Sequence, residues 1–269
     1  MTSMHQPVST AVVLMAGMGS RLRATTGVLP KPLFPLLGKP LITYTLEALA
    51  RNGLTTVHAI TGYESETVSK RVSELAPPGV KLNFVFNRDW QKQNGISVLA
   101  AAPRVTGEFL LMMSDHLFDD ALIHELITGP EADCLALAVD RKIDAIFDLD
   151  DAMKVKTDGN RICAIDKRLT DFDAVDTGLF RCSPEFFDYL ERAKIDGDCS
   201  LADGVRLAAT EDKARVVDIG DLWWQDVDTP EMFSEAERNL ADSLGRGNLG
   251  GAGQGDSREE NAAQADPEP

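Results

Sequence analysis

From Leu14 to Leu22 the chain reads Leu-Met-Ala-Gly-Met-Gly-Ser-Arg-Leu, and Pro30-Lys31-Pro32-Leu33 follows a few residues later. An apolar run that opens into glycines lets backbone N–H groups approach a ligand closely, and a ring of such donors binds phosphate oxygens without using a side chain. Arg21 and Lys31 supply the matching charge. A guanidinium fork and an ammonium point charge suit a nucleoside triphosphate whose pyrophosphate must be neutralised as it leaves. Glycines alone also make ordinary tight turns, so the joint pattern of glycines, Arg and Lys carries the reading. Two other phosphate motifs do not fit. A dinucleotide fingerprint needs Gly or Ala where Leu22 stands, and a Walker A loop needs Gly where Leu33 stands and Ser or Thr where Pro40 stands. NAD binding and P-loop ATPase chemistry are disfavoured, and Lys39 reads as a solvated loop lysine.

The motif G-x-G-[ST]-R-[LM] followed by P-K resembles the signature of the nucleotidyltransferases that join a nucleoside triphosphate to a sugar, alditol, cyclitol or choline phosphate. The resemblance runs from residue 10 to about residue 240. Asn94-Gly95-Ile96-Ser97, Met113-Ser114-Asp115-His116, Asp150-Asp151-Ala152-Met153-Lys154-Val155, Asp176-Thr177-Gly178 and the stretch Trp224 to Glu231 are most similar to the inositol-1-phosphate cytidylyltransferase branch. It implies a GT-A-like fold with a nucleotide loop of Ala16, Gly17, Met18, Gly19, Ser20 and Arg21, completed by Lys31. Asn94, Gly95 and Ser97 resemble the base-side loop, although a plain helix start is an equal reading of them. Lys167 matches a lysine aimed at the acceptor phosphate. Asp166 beside it matches an acidic partner for acceptor hydroxyls, or else is an exposed turn residue. Asp176 matches a second acceptor-side position, with Gly178 allowing close approach.

Asp115 follows the apolar run Phe109 to Met113, so its carboxylate emerges at a strand C-terminus, where α/β proteins bind ligands. A hard oxygen ligand there suits Mg2+; helix capping is its ordinary structural use. Asp226 and Asp228 face one side of an extended segment ahead of the helix start Thr229-Pro230-Glu231, and one or both complete the metal site. The sequence leaves open which. His116 invites a catalytic role, but a phosphate nucleophile is already ionised near neutral pH, so a structural role is expected. Trp223 and Trp224 are expected to pack on the sheet, with a lid over the ligand as the lesser reading.

These residues need a scaffold, and residues 10–240 alternate short β-type runs with helical-period stretches. That predicts an α/β fold: a Rossmann-like, mainly parallel sheet flanked by helices. Strands are expected at Thr10–Met15, Thr56–Thr61, Lys81–Phe86, Phe109–Met113 and Cys134–Val139, with helices from Pro40 to Gly53 and over about 64–75, 95–102 and 119–128. Short runs between Lys154 and Phe180, around the turn Asp158-Gly159-Asn160, predict a small antiparallel β insertion beside the main sheet that binds the acceptor. Residues 1–9 are expected to be a flexible N-terminus, 10–243 one domain, and 244–269 a disordered acidic tail.

Composition narrows the partners. Lys and Arg number 27 against 43 Asp and Glu, a net charge of −16, which argues against duplex nucleic acid as a partner. No apolar run approaches the roughly 18 residues of a membrane span, and no basic segment precedes the first one, so neither membrane insertion nor a secretory signal is expected. Cys134, Cys163, Cys182 and Cys199 form no CxxC pair, which suits reduced thiols in the cytoplasm. The expected reaction is Mg2+-dependent: CTP plus a phosphorylated alcohol gives a CDP-alcohol and pyrophosphate. Inositol 1-phosphate is the leading acceptor. The catalytic set is Arg21, Lys31 and Lys167, and the metal ligands are Asp115 with Asp226 or Asp228. Phosphocholine or phosphonate cytidylyl transfer and sugar-phosphate uridylyl, thymidylyl or guanylyl transfer keep the same chemistry. A nucleotide-sensing module without turnover is the alternative from another class, and a homodimer stays open.

Overall fold

The computed structural model describes residues 8–21, 29–129 and 133–249. Strands β1 (Thr10–Met15), β2 (Pro35–Leu36), β3 (Lys39–Pro40), β4 (Thr56–Thr61), β5 (Lys81–Phe86), β6 (Phe109–Met113) and β7 (His116–Phe118) make up the N-terminal half, with helices α1 (Leu41–Arg51), α2 (Ser65–Ser73), α3 (Asn94–Leu99) and α4 (Ala121–Thr128). The C-terminal half holds β8 (Leu135–Asp140), β9 (Lys154–Asp158), β10 (Arg161–Asp166), β11 (Ala174–Cys182), helices α5 (Glu185–Ala193) and α6 (Leu201–Thr210), β12 (Ala214–Asp218), β13 (Trp224–Asp226) and α7 (Pro230–Leu249).

Nine strands form one sheet in the order β5-β4-β1-β6-β11-β8-β12-β10-β9. It is a mixed sheet. β5, β4, β1 and β6 run parallel, as βαβ crossovers require, whereas β11 lies antiparallel between β6 and β8. Side chains alternate across each strand. Ala11, Val13 and Met15 therefore pack beneath α1, α2 and α4 with Leu46, Val68 and Ile123, while Val12 and Leu14 join α3, α5 and α6 through Val98, Phe186 and Val205. The result is three layers, helix on sheet on helix. A smaller third core of Phe34, Leu36, Leu41, Leu117, Val227 and Ala236 seats α7.

The antiparallel runs expected as an insertion beside the sheet are part of it instead. β11 is the central strand of the whole sheet, and eight of its nine residues are buried, all but Asp176, because helices cover both of its faces. The pair β9 and β10 continues the same sheet at its far edge and closes back onto β11. Two boundaries also move. Val8 is buried and the Ser9 carbonyl accepts from the Thr55 and Thr56 amides, so the end of the expected flexible segment is tied to the sheet. Helix α7 runs through Leu249 rather than stopping at 243, since each residue added to an existing helix gains a hydrogen bond without a new nucleus. The rest of the expected tail, 250–269, and residues 1–7 lie outside the described residues.

Local chemistry fixes the helix that borders the site. Ser200 accepts from the Asp203 amide while the Asp203 carboxylate accepts from the Ser200 amide, a capping box at the start of α6. The Asn94 side chain, at the start of α3, accepts from the Leu201 amide at 2.8 Å and joins the two helix starts. Deeper in the core, Phe109 stacks on Phe187 with ring centroids 5.2 Å apart and planes 5° from parallel. Phe109→Ala should cost about 3–5 kcal/mol of stability, read as a lower urea midpoint at unchanged slope; a loss under about 1 kcal/mol would contradict this packing.

Candidate active site

Asp115 sits in the two-residue gap between β6 and β7, at the C-terminal end of the sheet. β13 pairs antiparallel with β7, placing Asp226 opposite His116, and the Val227 amide donates to the Asp115 carbonyl at 3.0 Å. A three-residue strand pair thus brings Asp226 and Asp228 to the end of a strand more than a hundred residues earlier.

Lys31 reaches the same point from a short 3-10 turn, Lys31–Leu33, with its side chain only 8% exposed. Its Nζ donates to Asp115 Oδ2 at 2.5 Å and also to Asp228 Oδ1. Burial pushes the Asp115 carboxyl up, but the Lys31 ammonium outweighs it and holds the group at about 2. Burial likewise works against the Lys31 charge, and the two carboxylates more than restore it, leaving its pKa raised. Gly19 makes room for this arrangement: its φ is +62°, and a Cβ there would lie 2.7 Å from Lys31 Cβ.

A second link crosses the cleft. Arg21 donates to Asp151 Oδ2 at 2.8 Å and to Asp228, and Lys167 donates to Asp151 Oδ1 at 2.7 Å. The hydrogen bond from Lys167 is the largest of the influences holding the Asp151 carboxyl below its ordinary range, and the hydrogen bond to Asp151 likewise leads those raising Arg21. Lys154 braces the linkage from below, its buried ammonium donating to the carbonyls of Lys167 at 2.7 Å and Asp150 at 3.3 Å.

Two cavities meet at this cluster. One, of about 350 Å3, is lined by Ala16, Gly17, Gly19, Ser20, Arg21, Lys31, Trp90, Asn94 and Ser97. The other, of about 490 Å3, is lined by Lys142, Asp148, Asp151, Lys167, Asp176, Gly178, Trp223, Trp224 and Asp226 among others. Asn94, Met113, Asp115 and Asp228 line both. A ligand in each would present its reacting atoms at the same carboxylates and at Lys31.

Most residues singled out from the sequence gather here, and a few do not. Met18 is exposed and lines neither cavity. Gly95 faces Cys199, where a Cβ would meet the Cys199 carbonyl oxygen at 2.6 Å, so its smallness serves helix packing. Asp166 stays outside both cavities: it ends β10, so its side chain leaves the strand opposite to that of Lys167, and it pairs with Arg168 and Arg206 instead. Trp223 and Trp224 are half-buried and pack against the third core and the α1 side of the sheet respectively, and both also line the larger cavity, with Trp224 Nε1 donating to Asp140 at 3.0 Å.

His116 is held structurally. Its Nδ1 lies 2.7 Å from the Thr177 carbonyl oxygen, and its ring covers Gly178, where φ is +76° and a Cβ would lie 2.3 Å from the imidazole. A register shift in β11 between Asp176 and Phe180 creates this bend, the kind of bulge that re-aims side chains at a site. Some lining residues escaped the sequence reading: Asp151 was visible within the Asp150-Asp151-Ala152 motif but had no assigned role, and Trp90, Lys142 and Asp148 had no periodic or motif signal.

The family description for a MobA-like NTP transferase domain matches residues 11–152. The chain belongs to the MobA-like NTP transferase family. Its G-loop, Lys31, Asp115 and Asp151 all fall inside the matched segment, whereas Lys167, Asp176 and Asp228 come from beyond it. Among curated relatives of this NTP transferase, the bifunctional IPC transferase and DIPP synthase of Thermococcus kodakarensis is 32% identical over 240 residues, covering 88% of this chain and 52% of that protein. The protein of the same description from Aquifex aeolicus is 30% identical over 244 residues, with 89% and 54% covered. The chain therefore spans about half the length of these relatives. The solved inositol-1-phosphate CTP transferase from T. maritima superimposes with a TM-score of 0.77 at 27% identity, covering 88% of this chain and 96% of that one.

Asp176 gives the site a measurable pH signature. Burial pushes its carboxyl up to about 6, against the Gly178 amide, which donates to it at 2.6 Å and favours ionisation. Between the ordinary aspartate value near ~4 and about 6, the folded protein binds more protons than the unfolded chain, so stability falls as pH rises through that window. Asp176→Asn should therefore gain stability over wild type above pH 6 and lose that advantage below about pH 4. Urea unfolding at the two ends of the window measures this, and an advantage independent of pH would refute it.

Proposed function

We propose that this protein transfers CMP from CTP to the phosphate of a small phosphorylated cyclitol, inositol 1-phosphate first among them, releasing pyrophosphate. The supporting observation is the meeting of two cavities at Asp115, Asp228 and Lys31, one walled by the glycine loop and the other by Lys167 and carboxyl groups. The smaller cavity suits a triphosphate, and the larger one combines a lysine for phosphate with Asp148 and Asp176 as acceptors for hydroxyls. The T. maritima relative is described as acting with CTP and inositol 1-phosphate, which supports the same pairing here.

The chemistry is an in-line exchange. An ionised oxygen of the acceptor phosphate forms a bond to the α-phosphorus as the bond from that phosphorus to the β-bridging oxygen breaks, and pyrophosphate carries away the electron pair. No proton needs to move, so no general base is needed, which agrees with the structural placement of His116. Lys167 positions the acceptor phosphate. Arg21 and the backbone amides of Gly17 and Gly19 steady the leaving pyrophosphate, and Lys31 lies between the two sites, where charge develops.

Mg2+ is the proposed cofactor. Three cations, Arg21, Lys31 and Lys167, face four carboxylates, Asp115, Asp151, Asp226 and Asp228, so the centre lacks positive charge for a triphosphate. Asp115 and Asp228 already converge on one cationic group and would hold the ion, with Asp226, whose carboxyl burial pushes up, beside them. Among the described residues no three His, Cys, Asp or Glu side chains are placed to hold a metal by themselves, which suits an ion that completes its shell with water and phosphate. When bound, the ion would neutralise phosphate charge. The four cysteines are free thiols, which supports a reducing, cytoplasmic setting.

Pyrophosphate release over a matrix of triphosphates and phosphorylated acceptors tests the reading. CTP with inositol 1-phosphate should turn over, EDTA should stop it and Mg2+ should restore it. A preference for phosphocholine, a phosphonate or a sugar phosphate would replace the acceptor, and no release with any pair would make the protein a sensor. Asp115→Asn should lower kcat on the order of a hundredfold or more, beyond what its cost to stability explains, since Asp228 still meets the Lys31 ammonium. Lys167→Ala should raise KM for the acceptor by about tenfold or more, leaving that for CTP nearly unchanged; equal effects on both would contradict its assignment.

A further inference from the structure

Among the described residues Trp90 is the one aromatic side chain lining the smaller cavity, and neither the glycine-loop motif nor the proposed metal ligands account for it. It stands in the turn after β5, where the Asn87 side chain accepts from the Asp89 amide at 2.9 Å and fixes the local backbone. The indole is half-buried and wedged against the nucleotide loop. A Cβ on Gly62 would lie 2.3 Å from Trp90 Cβ and 2.7 Å from the Ala16 carbonyl oxygen, so Gly62 lets tryptophan and loop approach each other. Tyr63 braces the ring edge-on, with centroids 5.6 Å apart and planes at 67°, and its own amide donates to the Ala16 carbonyl at 2.9 Å. An aromatic plane fixed this firmly at the wall of a phosphate-binding pocket is a stacking surface.

The polar side of the same pocket is also set. The buried Asn87 amide donates to Ser97 Oγ at 3.0 Å, which leaves the Ser97 hydroxyl hydrogen free to be offered to the cavity. A planar ring stacked on the indole would have its edge within the pocket that this hydroxyl lines.

We propose that Trp90 is the platform on which the nucleotide base stacks, making it a binding residue that contributes affinity for the base and none for the phosphates. This rests on the reading of the smaller cavity as a nucleotide site. The stack is sequence-tolerant, since every base has a π-face, and discrimination among bases falls to the Ser97 edge.

Binding of CTP and of inorganic tripolyphosphate, each measured by calorimetry without acceptor, separates the base from the phosphates. Trp90→Ala should weaken CTP binding on the order of tenfold or more and leave tripolyphosphate unchanged, in a protein that circular dichroism shows to be folded at the assay temperature. Trp90→Phe should recover most of the lost affinity. Equal weakening of both ligands means that the turn merely supports the loop, and unchanged CTP binding means that the base lies elsewhere; either result overturns the proposal. If wild type binds CTP no better than tripolyphosphate, the nucleotide reading of the cavity falls together with it, whereas a wild type that favours CTP alongside an unaffected Trp90→Ala removes only the platform.

Discussion

The structure depends on a buried ammonium that two carboxylates must meet. Lys31 is almost fully enclosed, and an enclosed ammonium without counter-charge would cost several kcal/mol, so the fold can keep it only if Asp115 and Asp228 arrive from elsewhere in the chain. Each surrounding feature serves that meeting. Gly19 yields the space for the lysine stem, β6 delivers Asp115 at its C-terminal end, and the short β7 and β13 pair brings Asp228 alongside. Removing one partner would leave a buried charge unpaired, which is far more costly than losing an exposed salt bridge.

The same electrostatics prepare the site for anions. Arg21, Lys31 and Lys167 are held by carboxylates in one connected cluster, so their charged groups already stand around the junction of two cavities. Orientation of this kind is worth most where water is scarce, and little rearrangement is then needed when charge develops on a transferring phosphoryl group. Asp151 is the hinge of this arrangement, since one carboxylate takes both Arg21 and Lys167 and so links the walls of the two cavities.

Much of the scaffold was legible because local periodicity and burial coincide there. The strands Thr10–Met15, Thr56–Thr61 and Phe109–Met113 are largely apolar, buried runs, and the structure gives them those limits. β11 was harder. Its text, with Gly178 in the middle, reads like an edge hairpin, and only the helices packed on both of its faces make it the centre of the sheet. β7 and β13 carry three residues each, too few for any pattern, yet they set how Asp115 and Asp228 meet.

By itself the sequence determined the chemistry available: a glycine loop with Arg21 and Lys31, a carboxylate at a strand end, a spaced aspartate pair, and a lysine closing a β run. Those signals are local, written in residue types a few positions apart. Tertiary structure alone decided which carboxylate pairs with which cation. It placed Asp228 rather than Asp226 on Lys31, turned Asp166 away from Lys167, and brought Asp151 and Trp90 into the cleft. Such choices depend on strand order and on which face of a pleat a residue occupies, and both are fixed by burying apolar surface between layers that lie far apart along the chain.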